Sequence, residues 1–378
     1  MRHAPRGAGG RHVSAENRNV VLVVEDEDSY LDALNVGLTV EGFSVVGAGT
    51  IAEARAFLGS ARPDLVLLDV MLPDGSGLDF CRELHDSSRV PVIMVTARTS
   101  EVDVVLGLEI GAADYVTKPG SSALTTAEEF KRELVGKVKG LAQARRQSRG
   151  ETMPSAARRT GEAAPAPALP PVIRPGEIRL RPMPVERPDV VAIGSSTGGP
   201  QALFRLLKSF VGIKQPVLIT QHMPATFTTI LAEHIVRLTG LAAAEAVDRE
   251  PVVASRVYIA PGDYHMIVET HGANERRLRL SKGPPENFCR PSVDPMLRSL
   301  AQVYGRRVLC AILTGMGSDG LKGGQALVAA GAAVVAQDEK TSIVWGMPGA
   351  VATAGLCSAV LPIDELGSLI LRIVGRTA

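Results

Sequence analysis

Short apolar runs recur along the chain, and most stop abruptly at acidic or small polar residues. The first, Val20-Val21-Leu22-Val23-Val24, is continuously apolar and stops at Glu25-Asp26-Glu27-Asp28. A run without polar alternation predicts a strand covered on both faces, as in a parallel sheet. Helical spacing follows over 31–40, a short strand over 44–46, and helical spacing again over 51–58. Residues 65–68 predict a strand ending at Asp69, 78–84 a helix, and 91–95 a strand ending at Thr96. A further helical stretch leads to a strand over 113–116, followed by Lys118-Pro119, and a last helix over 126–144 ends in basic residues. Five successive βα units predict a doubly wound parallel sheet.

The same grammar resumes at Val190-Val191-Ala192-Ile193, which breaks into Gly194-Ser195-Ser196-Thr197-Gly198-Gly199-Pro200 and then a helix-like pattern through Phe210. Further strands are expected over 215–220, 256–260 and 307–313, with helices over 225–238 and 292–303. Residues 266–269 and 278–280 alternate like the two arms of a hairpin. A second α/β domain with a parallel, Rossmann-like sheet follows. Between the two, proline recurs from Pro154 to Pro188 and apolar periodicity is lost, which predicts a spacer. The expected organisation is a leader over 1–19, a first domain over 20–144, a linker over 145–188 and a second domain over 189–378. Residues 177–180 are an additional short-strand candidate.

The totals change this picture little. The 378 residues suffice for two sizeable cores. Forty acids against 41 bases give the whole chain no bias toward nucleic acid or a membrane surface. No uninterrupted apolar run reaches membrane-spanning length, and residues 1–19 lack the apolar core of a signal peptide. A cytoplasmic protein without membrane insertion is expected. Cys81, Cys289, Cys310 and Cys357 are far apart and form no metal-ligand pair, so buried apolar thiols are expected.

Candidate chemistry sits where the strands end. In the first domain these ends carry Glu25, Asp26, Asp69, Thr96 and Lys118, and a doubly wound sheet brings such ends to one crevice. Three clustered carboxylates favour a hard divalent cation, Mg2+ above all. Asp69 could then accept a phosphoryl group, with the Thr96 hydroxyl and the Lys118 ammonium holding its oxygens. In the second domain Gly194, Ser196 and Gly198 fit a nucleophile elbow, although a Gly/Ser-rich turn can equally cradle phosphate. His222 ends the strand over 215–220, and Asp319 lies in Thr314-Gly315-Met316-Gly317-Ser318-Asp319-Gly320. Taken alone, Asp319 reads as a cap of the helix after it. Taken with Ser196 and His222, it is the candidate orienting acid of a Ser-His-Asp set, with the Met316 and Thr197 backbone N–H groups as oxyanion donors.

The motifs Val23-Val24-Glu25-Asp26, Leu68-Asp69-Val70-Met71-Leu72-Pro73-Asp74-Gly75-Ser76-Gly77, Val95-Thr96-Ala97 and Tyr115-Val116-Thr117-Lys118-Pro119 resemble the receiver domain of two-component response regulators. That resemblance covers about 20–140. It implies a flavodoxin-like fold and phosphorylation of Asp69 by a histidine kinase. It also implies Mg2+ on Glu25, Asp26, Asp69 and the Met71 carbonyl, and a switch made of Thr96 and Tyr115. A second set is similar to the chemotaxis receptor methylesterases, the CheB family, over about 189–375. It comprises Gly194-Ser195-Ser196-Thr197-Gly198-Gly199, Ile219-Thr220-Gln221-His222-Met223-Pro224, Tyr258-Ile259-Ala260-Pro261-Gly262-Asp263, Arg290-Pro291-Ser292-Val293-Asp294 and Ile312-Leu313-Thr314-Gly315-Met316-Gly317-Ser318-Asp319-Gly320. This implies a catalytic Ser196, His222 and Asp319, no cofactor at the esterase site, and methylated chemoreceptors as substrate. Glutamine deamidation is a second activity in some members. A kinase of the CheA type would be the phosphodonor. The rival reading is a non-catalytic regulator whose Gly-rich loop binds a phosphate ligand or a partner protein. Gln221-His222 and the 317–320 segment weigh against it, since a phosphate loop needs neither. A DNA-binding output would need a helix-turn-helix and a basic face, and 189–378 offer neither.

Overall fold

The structure, a computed structural model, describes residues 19–88, 90–96, 101–118, 124–148, 178–225, 227–272 and 275–375. The expected leader and most of the linker lie outside them. The first half opens with β1 (Val20–Val24), α1 (Asp28–Val40), β2 (Ser44–Ala48), α2 (Ile51–Ser60) and β3 (Leu65–Asp69). A small antiparallel pair follows, β4 (Met71–Leu72) and β5 (Gly75–Ser76). Then come α3 (Gly77–Ser87), β6 (Val92–Thr96), α4 (Glu101–Ile110), β7 (Asp114–Thr117) and α5 (Leu124–Ser148). The five long strands form one parallel sheet in the order β2-β1-β3-β6-β7. β3 is buried at every position, as its unbroken apolar run requires. The order reverses beside β1, so the ends of β1 and β3 share one crevice, and Glu25, Asp26 and Asp69 meet there.

The second half begins with β8 (Val190–Ser195), α6 (Gly199–Lys208), β9 (Val217–Gln221), α7 (Phe227–Thr239), β10 (Ala242–Glu245) and β11 (Arg256–Ile259). The hairpin β12 (His265–His271) and β13 (Glu275–Ser281) leads to α8 (Val293–Tyr304), β14 (Val308–Ile312), α9 (Leu321–Ala329) and β15 (Ala333–Gln337). α10 (Met347–Thr353), β16 (Ala359–Leu361) and α11 (Ile363–Val374) complete it. Seven parallel strands run in the order β10-β11-β9-β8-β14-β15-β16. β8, β9 and β14 are central and wholly buried, with apolar helices on both faces. The hairpin register pairs Met266 with Leu280 and Val268 with Leu278, so the alternating apolar residues share the buried face.

Two expectations change. Residues 178–180 join no strand; the chain beside them is tied down by Arg181 N–H donating to Cys357 O (2.8 Å). α1 begins three residues before its apolar pattern, because Asp28 and its neighbours form a first turn that faces solvent. No helix among the described residues is long and apolar enough to cross a membrane.

Candidate active site

β8 and β9 are parallel neighbours with Ser195 opposite Gln221, so Ser196 and His222 leave the sheet side by side. The turn after β8 is fixed at both ends. Ser195 Oγ donates to Gln221 Oε1 (2.7 Å), and Gln221 Nε2 donates to Ser196 O (3.0 Å). Ser196 N–H donates to Thr314 O (3.0 Å), which ties the turn to the strand on its other side. Gly198 takes φ +75°, and a side chain there would come within 2.6 Å of Ile343 Cβ. Only glycine fits both demands. Gly315 lets the 314–320 turn approach closely, since a Cβ on it would lie 2.8 Å from Ser196 Cβ. Ser196 is partly exposed between these buried neighbours.

His222 Nε2 lies 2.7 Å from Asp319 Oδ2, with both side chains almost fully buried. Asp319 collects a shell of donors. Val293 N–H is 2.6 Å from Oδ2; Oδ1 accepts from Asn287 Nδ2 (2.8 Å), Ser292 Oγ (2.9 Å), Gly320 N–H (2.9 Å) and Asp294 N–H (3.0 Å). Burial alone would raise this carboxyl. The His222 contact and the donors outweigh it and hold Asp319 at about 2. Burial would likewise depress His222, but the Asp319 bond and the Cys289 thiol push it up to about 10.

Asp319 does not serve as a simple cap for the helix that follows it. Its carboxylate receives the first backbone N–H groups of α8, while Asp294, in the first turn of α8, accepts from Gly320 and Gly323 at the start of α9. The two helices therefore cap each other with exchanged aspartates, which rigidifies the base of the site. Asn287 donates to both acids (2.8 and 3.0 Å).

Cys289 corrects the expectation of four buried apolar thiols. Cys81, Cys310 and Cys357 are buried, and burial pushes the Cys81 and Cys357 thiols up to about 12. Cys289 is partly exposed, with Sγ 3.4 Å from His222 Nδ1. Among the described residues, no hydrogen bond joins Ser196 Oγ to His222, and neither Thr197 N–H nor Met316 N–H has a partner. The roles of Cys289 and Asn287 were not visible in the sequence. The available signal was their position directly before the Arg290-Pro291-Ser292-Val293-Asp294 motif.

The other site lies at the ends of β1 and β3. Ligand atoms of Glu25, Asp26 and Asp69 lie within 4.8 Å of one another. Lys118 Nζ is 2.8 Å from Glu25 and 2.7 Å from Asp69. Burial, with help from the Asp69 charge, raises Glu25 against the pull of Lys118. Lys118 is raised: burial opposes its charge, but Asp69 and Glu25 prevail. Met71 is exposed beside this crevice. The Thr96 side chain lies outside the described residues. Tyr115 is buried and stacked on Phe227 of α7 at 4.8 Å between ring centroids.

That stack belongs to a contact between the two halves. Thr197 Oγ1 donates to Asp114 Oδ2 (2.5 Å), Gly198 N–H to Ala113 O (2.9 Å), and Gln201 Nε2 to Ala112 O (2.5 Å). Lys137 of α5 holds Asp114 Oδ1 from behind (2.9 Å). The Met316 side chain lies against Gly136 and Gly140 of α5, and Val344 joins the cluster of Leu134, Val138 and Leu141. Of the two residues named as oxyanion donors, Thr197 has its side chain buried under the first half, and Met316 touches the first half with a side chain that stays exposed.

A receiver-like fold joined to an α/β unit with Ser196, His222 and Asp319 at one sheet edge is the arrangement expected of a regulated hydrolase. The family model for CheB methylesterase matches residues 191–370, and that for the response regulator receiver domain matches 21–128. The chain is 51% identical to a protein-glutamate methylesterase/protein-glutamine glutaminase of Paramagnetospirillum magneticum, over 88% of this chain and 89% of that one. It is 45% identical to the protein of that name from Azospirillum brasilense, over 100% and 98%, and 48% identical to one from Rhodospirillum rubrum, over 94% and 95%. The chain belongs to the protein-glutamate methylesterase/protein-glutamine glutaminase family.

Proposed function

We propose that the protein hydrolyses glutamate γ-methyl esters on chemoreceptors in the cytoplasm, releasing methanol, under control of Asp69 phosphorylation. The working units are a receiver over 20–144, a linker over 145–188 and an esterase over 189–378. The observation that carries this reading is the His222–Asp319 pair, buried and braced at the strand end beside Ser196. Ser196 Oγ attacks the ester carbonyl. His222 takes its proton at Nδ1, because Nε2 is engaged by Asp319, and returns it to the departing methanol. Water then cleaves the acyl-enzyme by the same route. Asp319 fixes the tautomer and stabilises the imidazolium, and Thr197 and Met316 N–H groups receive the oxyanion. Deamidation of receptor glutamines would follow the same path, with ammonia as the leaving group.

On the receiver, Asp69 takes the phosphoryl group from a kinase of the CheA type. Glu25, Asp26, Asp69 and the Met71 carbonyl would hold Mg2+; the all-oxygen donor set and the raised, crowded Glu25 fit that ion. When bound, the ion neutralises charge on the phosphoryl oxygens. Lys118 pairs with the phosphorylated Asp69, and Thr96 and Tyr115 carry the change toward the esterase. Tyr115 is suited to this because it stacks on Phe227. The receiver restrains the esterase by covering Thr197 and leaning on Met316, and phosphorylation loosens that cover. The deciding experiment is methanol release from methylated receptor with and without a small phosphodonor. Phosphodonor stimulation is expected; absence of any methanol would sink the reading.

A further inference from the structure

The histidine assigned as the base has two ring nitrogens, and in this structure neither meets the serine. Nε2 is held by Asp319 at 2.7 Å and Nδ1 faces Cys289 Sγ at 3.4 Å. With Nε2 engaged, Nδ1 is the nitrogen left to accept the Ser196 proton, and it is the one the thiol occupies.

We propose that Cys289 is a positioning residue of the esterase: its thiol holds His222 Nδ1 in the resting enzyme, and Ser196 is activated only when that contact yields. This rests on the assignment of Ser196, His222 and Asp319 made above. Three observations support it. The thiol is placed by a tight turn in which Cys289 N–H donates to Glu286 O (2.9 Å) and Glu286 N–H to Cys289 O (3.1 Å). The two central residues, Asn287 and Phe288, take φ +52° and +64°, as a turn of this hand requires. The turn is anchored to the catalytic acid, since Asn287 donates to Asp319 and to Asp294, and Arg298 of α8 bonds Glu286 at 2.6 Å. The backbone that carries the thiol is therefore held in place, and rotation of the Cys289 side chain is the movement left to free the ring. Cys289 is also the one thiol of the four that is not buried away from solvent.

The chemistry of the contact is that of a thiol against a ring nitrogen, in which the sulfur can take either end of a weak hydrogen bond. Either arrangement denies Nδ1 to Ser196. A contact that favours the protonated ring also removes the base, because an imidazolium cannot accept a proton. The groups facing His222 are Asp319, from the turn before α9, and Cys289; Asp294 and the Glu286–Arg298 pair stand behind them. Asp319 and Cys289 both favour the protonated ring, against burial. The base must be neutral to act, so a raised His222 moves the acid limb of the rate profile to higher pH.

The test is the pH profile of kcat/KM for methanol release in full-length Cys289→Ala and Cys289→Val. In both, the acid limb should move to lower pH by about one unit, with a rise of about tenfold at neutral pH. Neither replacement can hydrogen-bond the ring, and the bulkier valine covers the case in which the alanine variant folds poorly. A purely structural thiol would lower Tm and rate while leaving the acid limb in place; that outcome in a folded variant overturns the proposal. Ser196→Ala, measured in parallel, separates the two claims. Methanol release retained in Ser196→Ala defeats the triad itself, whereas an unmoved limb with Ser196→Ala inactive defeats only the role of Cys289.

Discussion

The two sheets each gather carboxylates at strand ends, yet they treat them in opposite ways. Asp319 is wrapped by Asn287, Ser292, Val293, Asp294, Gly320 and His222, and its carboxyl is held at about 2. Glu25 and Asp69 share the single ammonium of Lys118, and Glu25 is raised by burial. A group that must keep one charge and one orientation through every turnover is surrounded by fixed donors. A group that must change charge on signal is left crowded, so that new charge can rearrange its neighbours. Preorganisation and poise thus appear in one chain, in the same fold class, at equivalent sheet edges.

Substitutions can break this contrast, beginning with the largest effect. Ser196→Ala should cost roughly 10⁶ in kcat for methanol release while Asp69 still takes up phosphoryl groups from a small phosphodonor. Asp319→Asn keeps the shape but reverses the hydrogen bond that orients His222. A loss of about 10⁴ in kcat is expected, with an unchanged fold by circular dichroism. Asp69→Asn should leave basal esterase activity in place and abolish the roughly tenfold phosphodonor stimulation expected of the parent. Equal stimulation of both proteins would refute receiver control.

Asp114→Ala tests the cover. The bond from Thr197 to Asp114 is charge-assisted and buried, worth about 1.5–3 kcal/mol. Its removal should raise basal methanol release about fivefold and shrink the further response to phosphodonor. Arg237→Ala removes an exposed pair with Glu109 across the same boundary (3.1 Å). Surface pairs contribute about 0–1 kcal/mol, so a change below about twofold in basal rate is expected. If this variant matched Asp114→Ala, the cover would be general adhesion between the halves and not a grip on the elbow.

Much of this was legible in the residues. Continuous apolar runs marked the buried strands, and abrupt polar endings put Glu25, Asp69, Ser196 and His222 at sheet edges where they are found. The alternation of Met266, Val268, Leu278 and Leu280 marked the hairpin, and the structure supplies its register. Asp319 was legible as a residue but not as a neighbour. Most of its donors come from the 287–294 segment, whose path depends on a turn with two left-handed residues and not on periodicity. Cys289 escaped for the same reason: a cysteine outside any pairing pattern carries no local signal of the histidine 67 positions away. The cover over Thr197 was not legible in the residue pattern. The contacts depend on residues about 83 apart, with no periodic trace.

The receiver makes that cover with four residues in a row. Ala112 meets Gln201, Ala113 meets Gly198, Asp114 meets Thr197, and Tyr115 meets Phe227. A slip of one residue along this segment would mismatch every partner at once. The two halves are therefore not freely exchangeable parts. A chimaera carrying a foreign receiver should regulate this esterase only if it reproduces the spacing and chemistry of residues 112–115, however well it binds its own kinase. Lineages that shuffle such domains would have to change both sides of the seam together.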